Sequence, residues 1–117
     1  VALATSTYTP AQDTHDYFND ITNEVTGTGY TAGGATLASK TVTYTSGTNT
    51  QAFDAADTSW ASSTITARYA IIYDSTPGTA ATNPLIGYVD FGADVSSTAA
   101  AFTIAWDAAG IFTIAVA

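Results

Sequence analysis

The sequence predicts an all-β protein, a single-domain β-sandwich or barrel of about seven short antiparallel strands with one short helix near the N-terminus. The strongest observation is the alternation of Ile65, Ala67, Tyr69, Ile71 and Tyr73, which is typical of a strand with one buried face. Turn residues separate such stretches at short intervals along the chain. The length of 117 residues suits one domain, residues 1–117, with one core.

The first elements are an opening strand and the helix. Residues 1–8 predict the strand, and the helix follows because Thr9 is a good N-cap, Pro10 suits the first helical position and Gln12 lies at the third. The chain begins at Val1, not Met, inside a strand pattern. We therefore expect a short preceding segment outside the printed sequence, with processing of the N-terminus as the alternative.

From residue 27 onward the pattern is β throughout. Glycines interrupt a loop around Tyr30, and residues 46–49 and 107–110 have the composition of turns. The alternation places Val42 and Tyr44 on one face of their strand. The same reasoning places Phe112, Ile114 and Val116 on one face of the last strand. The predicted strands after the helix cover residues 36–45, 51–56, 64–74, 85–91, 102–106 and 111–117.

The composition favours a structural or interaction protein over an enzyme. Ten acidic residues against two basic ones give a net charge of −8, which repels phosphate backbones, so we expect no nucleic-acid partner. There is no run of 18 apolar residues, so we expect no membrane partner. The absence of Cys excludes a disulfide scaffold and a thiolate metal site. We predict no cofactor.

Catalytic arrangements are weak in this chain. Asp54 with Asp57, and Asp90 with Asp94, are paired carboxylates of the kind that glycoside hydrolysis uses. Turn formation, in which Asp side chains accept hydrogen bonds from nearby backbone N–H groups, is the favoured interpretation. No Gly-x-Ser-x-Gly elbow is present, and His15 is the only His available for a triad. We therefore predict no catalytic residues.

The densest group of candidate metal ligands lies in the predicted helix. Asp13, Asp16 and Asp20 would share one helix face, and their carboxylate oxygens suit Ca²⁺. The segment lacks the ligand spacing of a known calcium loop. Acidic residues favoured by the helix dipole are the preferred interpretation, so no metal is predicted and a weak calcium site stays open.

Three residues are candidates for interaction with partners. Arg68, the only guanidinium, either forms a bidentate pair with an acid on a neighbouring subunit or pairs with a cross-strand Asp of its own chain. Tyr30 and Tyr73 are aromatic residues that a receptor- or glycan-binding module would expose in loops. The Thr-, Ala- and Ser-rich strands lose little side-chain entropy when they are covered, which suits packing between identical subunits.

Several segments resemble, as a series, a group of small virion structural proteins from tailed bacteriophages. The segments are Val1-Ala2-Leu3, Tyr8-Thr9-Pro10, Asp16-Tyr17-Phe18-Asn19-Asp20, Gly27-Thr28-Gly29-Tyr30-Thr31-Ala32-Gly33-Gly34 with Ala35-Thr36-Leu37, Thr64-Ile65-Thr66-Ala67-Arg68-Tyr69-Ala70 and Pro84-Leu85-Ile86-Gly87-Tyr88-Val89-Asp90-Phe91-Gly92. The resemblance covers most of the chain, although none of these segments carries chemistry by itself. In that group a preceding segment leads into the equivalent of Val1-Ala2-Leu3.

The resemblance implies a component of the virion, of the head decoration or surface type. The leading hypothesis is a non-enzymatic homo-oligomer on the particle surface, with identical subunits and the major capsid protein or another virion protein as partners. The alternative is a tail or fibre module that binds a host receptor or glycan.

Overall fold

Two small antiparallel sheets account for most of the regular structure. The computed structural model describes residues 1–116, which form six strands and one 3₁₀ helix, Phe18–Asp20. The strands are β1 (Ala2–Ala4), β2 (Thr41–Thr45), β3 (Thr50–Asp54), β4 (Thr58–Tyr73), β5 (Leu85–Ile104) and β6 (Phe112–Ala115). One sheet has the order β1-β4-β5 and the other the order β2-β3-β6.

The chain divides into two compact units. Unit 1 comprises Val1–Ala35 and Trp60–Phe102, and unit 2 comprises Thr36–Ser59 and the segment from Thr103 onward. The single domain predicted from the sequence stays a prediction.

Strand β1 lies at the centre of unit 1. Its three residues are fully buried, and it pairs with β4 in the register Leu3 with Ala70. On its other side, the backbone N–H of Val25 donates to the carbonyl of Leu3 at 2.9 Å. Ile71 and Tyr8 complete the core around Ala4. A three-residue strand is held here because it is bonded on both sides and its small apolar side chains are removed from water.

Two irregular residues change which side chains of the long strands are buried. In β4 the buried positions are Thr58 and Trp60 but then Ser63, Ile65 and Ala67. The shift occurs at Ser62, which has φ = 51° and marks a β-bulge. Ala99 (φ = 48°) does the same in β5, where Ser97 is buried before it and Phe102 and Ile104 after it. The hydroxyls of Ser63 and Ser97 satisfy each other at 2.7 Å.

In unit 2, β2 and β3 form the hairpin that the turn residues at 46–49 predict. Thr45 pairs with Thr50 across this turn, and β3 then pairs with β6. The registers align Val42, Phe53 and Phe112 in one row. Tyr44, Gln51 and Ile114 form the next row on the same face. These two rows make one continuous face of the sheet.

The predicted helix after Thr9 is wrong. The N–H of His15 donates to the carbonyl of Ala11 at 2.9 Å, which closes a single turn. The next two N–H groups, of Asp16 and Tyr17, donate to the Asp20 carboxylate instead of to the preceding turn. The Phe18 and Asn19 N–H groups then bond carbonyls of the 80–83 loop. Side-chain and tertiary acceptors therefore replace the helical ones, and one turn is too short to persist without them.

Two further details of the predicted fold are corrected. The strands predicted at residues 85–91 and 102–106 are one strand, β5, because Ser-, Thr- and Ala-rich residues continue the ladder between them. Both sheets are open within residues 1–116, so the structure does not contain the closed barrel that was one of the two predicted forms. No helix in this described part of the chain is long and apolar enough to cross a membrane.

Candidate functional site

Arg68 pairs with an acid of its own chain, on the neighbouring strand. Its Nε donates to Oδ1 of Asp90 at 2.5 Å, and its terminal nitrogen donates to Oδ2 at 3.2 Å. The hydrogen bonds from Arg68, and then that from Gly92, hold the pKa of Asp90 below its usual range. The guanidinium also lies 5.7 Å from the centre of the Tyr69 ring. Of the two pairings that the sequence left open, the structure therefore contains the intramolecular one.

Tyr30 is bonded on both sides inside unit 1. Its hydroxyl accepts the N–H of Leu3 at 2.9 Å and donates to Oε1 of Glu24 at 2.7 Å. The same carboxylate oxygen accepts the N–H of Gly33 at 2.6 Å. Burial raises the pKa of Tyr30 far above its ordinary value, because a tyrosinate here would be poorly hydrated. The residue closes the glycine loop over β1.

Tyr73 reaches the same loop from β4. Its hydroxyl donates to the carbonyl of Gly33 at 2.7 Å, and its ring stacks on Phe18 with centroids 4.2 Å apart. Burial raises its pKa, and the Glu24 carboxylate adds to that shift. Gly33 thus joins Tyr30, Glu24 and Tyr73 into one network, which we call the Glu24 network. Arg68 is not part of it.

The acidic residues of the chain are mainly bonded to backbone groups. Oδ2 of Asp20 accepts the N–H groups of Asp16 and Tyr17, both at 2.9 Å. Asp57 accepts the N–H of Trp106 at 3.0 Å. Asp94 accepts the hydroxyl of Ser6. Within residues 1–116 no group of three His, Cys, Asp or Glu side chains is arranged to hold a metal ion.

Acid should destabilise the fold through three carboxylates that accept hydrogen bonds. Hydrogen bonds lower the pKa values of Asp20, Asp74 and Asp90 below the ordinary 3.8. A lowered folded-state pKa gives stability that is present above 3.8 and lost as pH falls below it. We expect the thermal midpoint to be flat above about pH 5 and to fall below about pH 4. D20N, which cannot titrate, should lose less over this range than the wild type. Identical acid profiles for D20N and the wild type would contradict this expectation.

A cleft of about 650 Å³ opens in unit 1 between the 8–16 loop and the first residues of β5. We call it the Tyr8 cleft. Ile71 and Leu85 lie in its floor, and both belong to the core of unit 1. Its lining residues are Tyr8, Pro10, Ala11, Gln12, His15, Asp16, Ile71, Leu85, Ile86, Gly87 and Tyr88. Its size lies within the range of small-molecule sites, roughly 300–1,000 Å³.

The side chains around Tyr8 contact one another through a hydrogen bond and ring packing. The Tyr8 hydroxyl and Nδ1 of His15 are hydrogen-bonded at 2.8 Å, and the two rings are stacked. Tyr69 meets Tyr8 edge-on at 5.9 Å, and Tyr88 meets Tyr69 edge-on at 6.1 Å. Burial raises the pKa of Tyr8, with smaller contributions from Asp20 and Tyr88. At physiological pH the cleft therefore keeps a neutral phenol at its base.

Unit 2 carries a different feature, an apolar sheet face that is open to solvent. Val42, Tyr44 and Ile114 are 61%, 63% and 59% exposed, and Phe112 is also exposed. These residues belong to the two rows aligned by the registers of β2, β3 and β6. We call this surface the β2-β3-β6 face. Single exposed apolar residues are ordinary, whereas adjoining ones on one sheet face form a larger apolar patch, a feature typical of interaction surfaces.

One of these two features could be recognised in part from the sequence. The alternation of Val42 with Tyr44, and of Phe112 with Ile114, predicts that each pair shares a face, and the structure confirms this. The sequence did not indicate that both pairs are exposed. The Tyr8 cleft was missed, since the 8–16 loop and Tyr88 come from distant parts of the chain and form no motif.

Comparison of the chain with protein-family models, curated proteins and solved structures finds no match.

Proposed function

We propose that this chain is a non-enzymatic bacteriophage virion structural protein, of the capsid decoration or surface type, that assembles as a homo-oligomer. The observation that carries the assembly part is the exposed β2-β3-β6 face. The virion part rests on the resemblance of the chain to small structural proteins of tailed bacteriophages. The sandwich arrangement that the sequence predicts belongs to this proposal as well.

The β2-β3-β6 face is apolar and carries no charge. Among the residues of β2, β3 and β6 only Asp54 is charged, and strand alternation places it on the opposite face, in register with Thr41. Covering Val42, Tyr44 and Ile114 removes apolar area from water, which stabilises association by roughly 25 cal/mol per Å² before the costs of binding.

The occupant of this face is a second copy of the chain. With a net charge of −8, two copies repel each other over most contacts. A charge-free face is the surface on which identical acidic chains associate without opposing carboxylates. An acidic protein that instead bound a basic partner here would present carboxylates on this face, and none lies on it. Self-association also explains why the face can be apolar in a protein so rich in acidic residues.

The particle supplies the second partner. Many identical copies on a shell add avidity, so neutral contacts of modest individual affinity suffice to hold them. On the virion surface the chain binds the major capsid protein or a neighbouring particle component. The tyrosines expected to serve the alternative function, a receptor- or glycan-binding module, have hydroxyls already bonded within unit 1.

The assembly test compares two substitutions on neighbouring residues of β6. Ile114 lies on the β2-β3-β6 face, whereas Thr113 is exposed on the opposite face. The wild type should sediment as an oligomer in analytical ultracentrifugation. I114D buries an unpaired charge in the interface and should weaken association by at least about 100-fold. T113D adds the same charge outside the interface and should change association only a few-fold.

Two results would count against the proposal, each against a different part. A wild-type monomer at concentrations near about 100 μM, or equal effects of I114D and T113D, would overturn the assembly part. An oligomer that does not co-sediment with assembled capsid shells would overturn the decoration part alone. Circular dichroism of both variants shows whether the fold is retained.

A further inference from the structure

The Tyr8 cleft has two walls of opposite chemistry. The start of β5 contributes an apolar wall in which Ile86 and Tyr88 are 51% and 41% exposed. The 8–16 loop contributes the polar side chains of Gln12, His15 and Asp16. Aromatic rings beside a few convergent polar groups are typical of a ligand site. The apolar wall and the polar wall therefore define which ligands fit.

From this arrangement we propose that the Tyr8 cleft binds a neutral saccharide. A sugar ring has an apolar C–H face and a rim of hydroxyl groups, so its two sides match the two walls. The C–H face packs on Tyr88 and Ile86. The hydroxyls donate to the Asp16 carboxylate and exchange hydrogen bonds with the Gln12 amide and the His15 ring. Binding at this cleft does not depend on assembly through the β2-β3-β6 face.

The charges and the size of the cleft decide against other ligand classes. Among the described lining residues there is no Lys or Arg, and Asp16 is anionic, so phosphates and carboxylates are repelled. An amine would find one carboxylate, but the other lining residues offer it no second anionic group. A saccharide of one to a few rings uses both the volume and the polar wall.

The cleft is also preorganised. The N–H of Leu85 donates to the carbonyl of Asp16 at 2.9 Å, which ties the polar wall to the start of β5. Asp20 holds the N–H of Asp16, and Tyr8 holds the His15 ring. A ligand therefore pays little ordering entropy at these groups, although the open shape of the site and its few polar groups predict weak, millimolar binding.

The test is an NMR titration of the ¹⁵N-labelled chain with maltose, cellobiose, lactose and chitobiose, each to about 20 mM. At least one saccharide should shift the amide signals of residues 8–16 and 85–88 in a saturable way. Y88A removes the stacking face and should weaken that binding about tenfold. D16N removes the charged acceptor but not the main-chain bond to Leu85, and it should also weaken binding. V95A truncates an exposed β5 residue outside the cleft and should bind as the wild type does.

A parallel titration with argininamide tests the competing class of ligand, a cation held by the Asp16 carboxylate. The proposal is overturned if no saccharide of the panel shifts these amides, or if argininamide alone does. It is also overturned if Y88A binds as tightly as V95A. The amide spectra of the variants report whether each is folded, so a lost interaction is distinguished from a lost fold.

Discussion

The substitution G34A is expected to destabilise the protein by about 2–5 kcal/mol, the largest effect of any single change considered. Gly34 has φ = 75°, in the left-handed region that costs an L-residue about 1–2 kcal/mol. A Cβ at this position would collide with the carbonyl oxygen of Val1 and lie 2.6 Å from Cα of Ala2. Both are backbone atoms of buried residues at or directly before the start of β1, so relief requires the loop to move away, at a cost of about 1–3 kcal/mol.

The loop cannot move away without breaking other bonds. The N–H of Ala35 donates to the carbonyl of Val1 at 2.9 Å, and the nitrogen of Val1 donates to the carbonyl of Ala35 at 2.6 Å. The collision would therefore disrupt the two hydrogen bonds that hold residues 34–35 against the start of β1. Urea unfolding followed by circular dichroism measures the loss.

Two other glycines separate the cost of the left-handed backbone conformation from the cost of the collision. Gly78 has φ = 92° but nothing lies within 4 Å of a Cβ built on it, so G78A should show the conformational cost alone, about 1–2 kcal/mol. Gly47 has neither a positive φ nor a neighbour within 4 Å, and G47A should be neutral to within about 0.5 kcal/mol. If G34A were no more destabilising than G78A, the close packing of the glycine loop on β1 would be wrong.

The same glycines show how far the sequence could predict the fold. The cluster around Tyr30 is recognisable as a loop from composition alone, because four glycines interrupt any strand pattern. Which backbone each glycine approaches depends on pairing across the chain. A side chain at Gly27 would collide with the carbonyl of Thr64, and one at Gly34 would collide with the carbonyl of Val1. Local sequence carries no information on either contact.

The limits of strand prediction have a local cause. Period-two alternation identified β2, the main part of β4 and β6, and the turn at residues 46–49 identified β3, although β2 and β4 begin five and six residues away from the predicted starts at 36 and 64. The bulge at Ala99 reverses the alternation within β5, which was read as two strands with a gap between them, and the bulge at Ser62 hides the first residues of β4. The helix failed for another reason: its N-cap pattern is real, but Asp20 offers the Asp16 and Tyr17 N–H groups a competing acceptor.

For the candidate sites, chemistry was easier to predict than position. The sequence identified Arg68 as a residue that needs an acid, and Asp90 is that acid. It could not distinguish a tyrosine in an exposed loop from one that closes the loop on the core. Glycines precede Tyr30 whether its side chain is exposed or packed on the core. Only the hydrogen bonds to Leu3 and Glu24, which come from other parts of the chain, show that it closes the loop.

The second large effect is that of Y30F, which removes a single hydroxyl and is expected to cost about 2–4 kcal/mol, less than the sum of the two lost bonds because one hydroxyl makes both. The substitution leaves the N–H of the fully buried Leu3 without its acceptor and takes one donor from the Glu24 carboxylate. An unsatisfied buried group costs about 1–3 kcal/mol, and a bond to a charged group contributes about 1.5–3 kcal/mol. Y73F removes one bond to the carbonyl of Gly33 and should cost only about 0.5–1.5 kcal/mol.

The Glu24 network also predicts how the protein responds to alkali. Because the folded-state pKa of Tyr30 lies above the ordinary 10.0, its contribution is intact below pH 10 and is lost as the pH rises beyond that value. Spectroscopic titration of tyrosinate should therefore show a late phase in which Tyr30 ionises only as the fold opens, and Y30F should reduce the amplitude of that phase by one tyrosine, since the pKa values of Tyr8 and Tyr73 are raised as well. The exposed Tyr44 supplies the control, since Y44F leaves the Glu24 network intact and should retain the phase. Equal stability losses in Y30F and Y44F would mean that Tyr30 does not hold the glycine loop on β1, and the close approach of Gly34 would then need another cause.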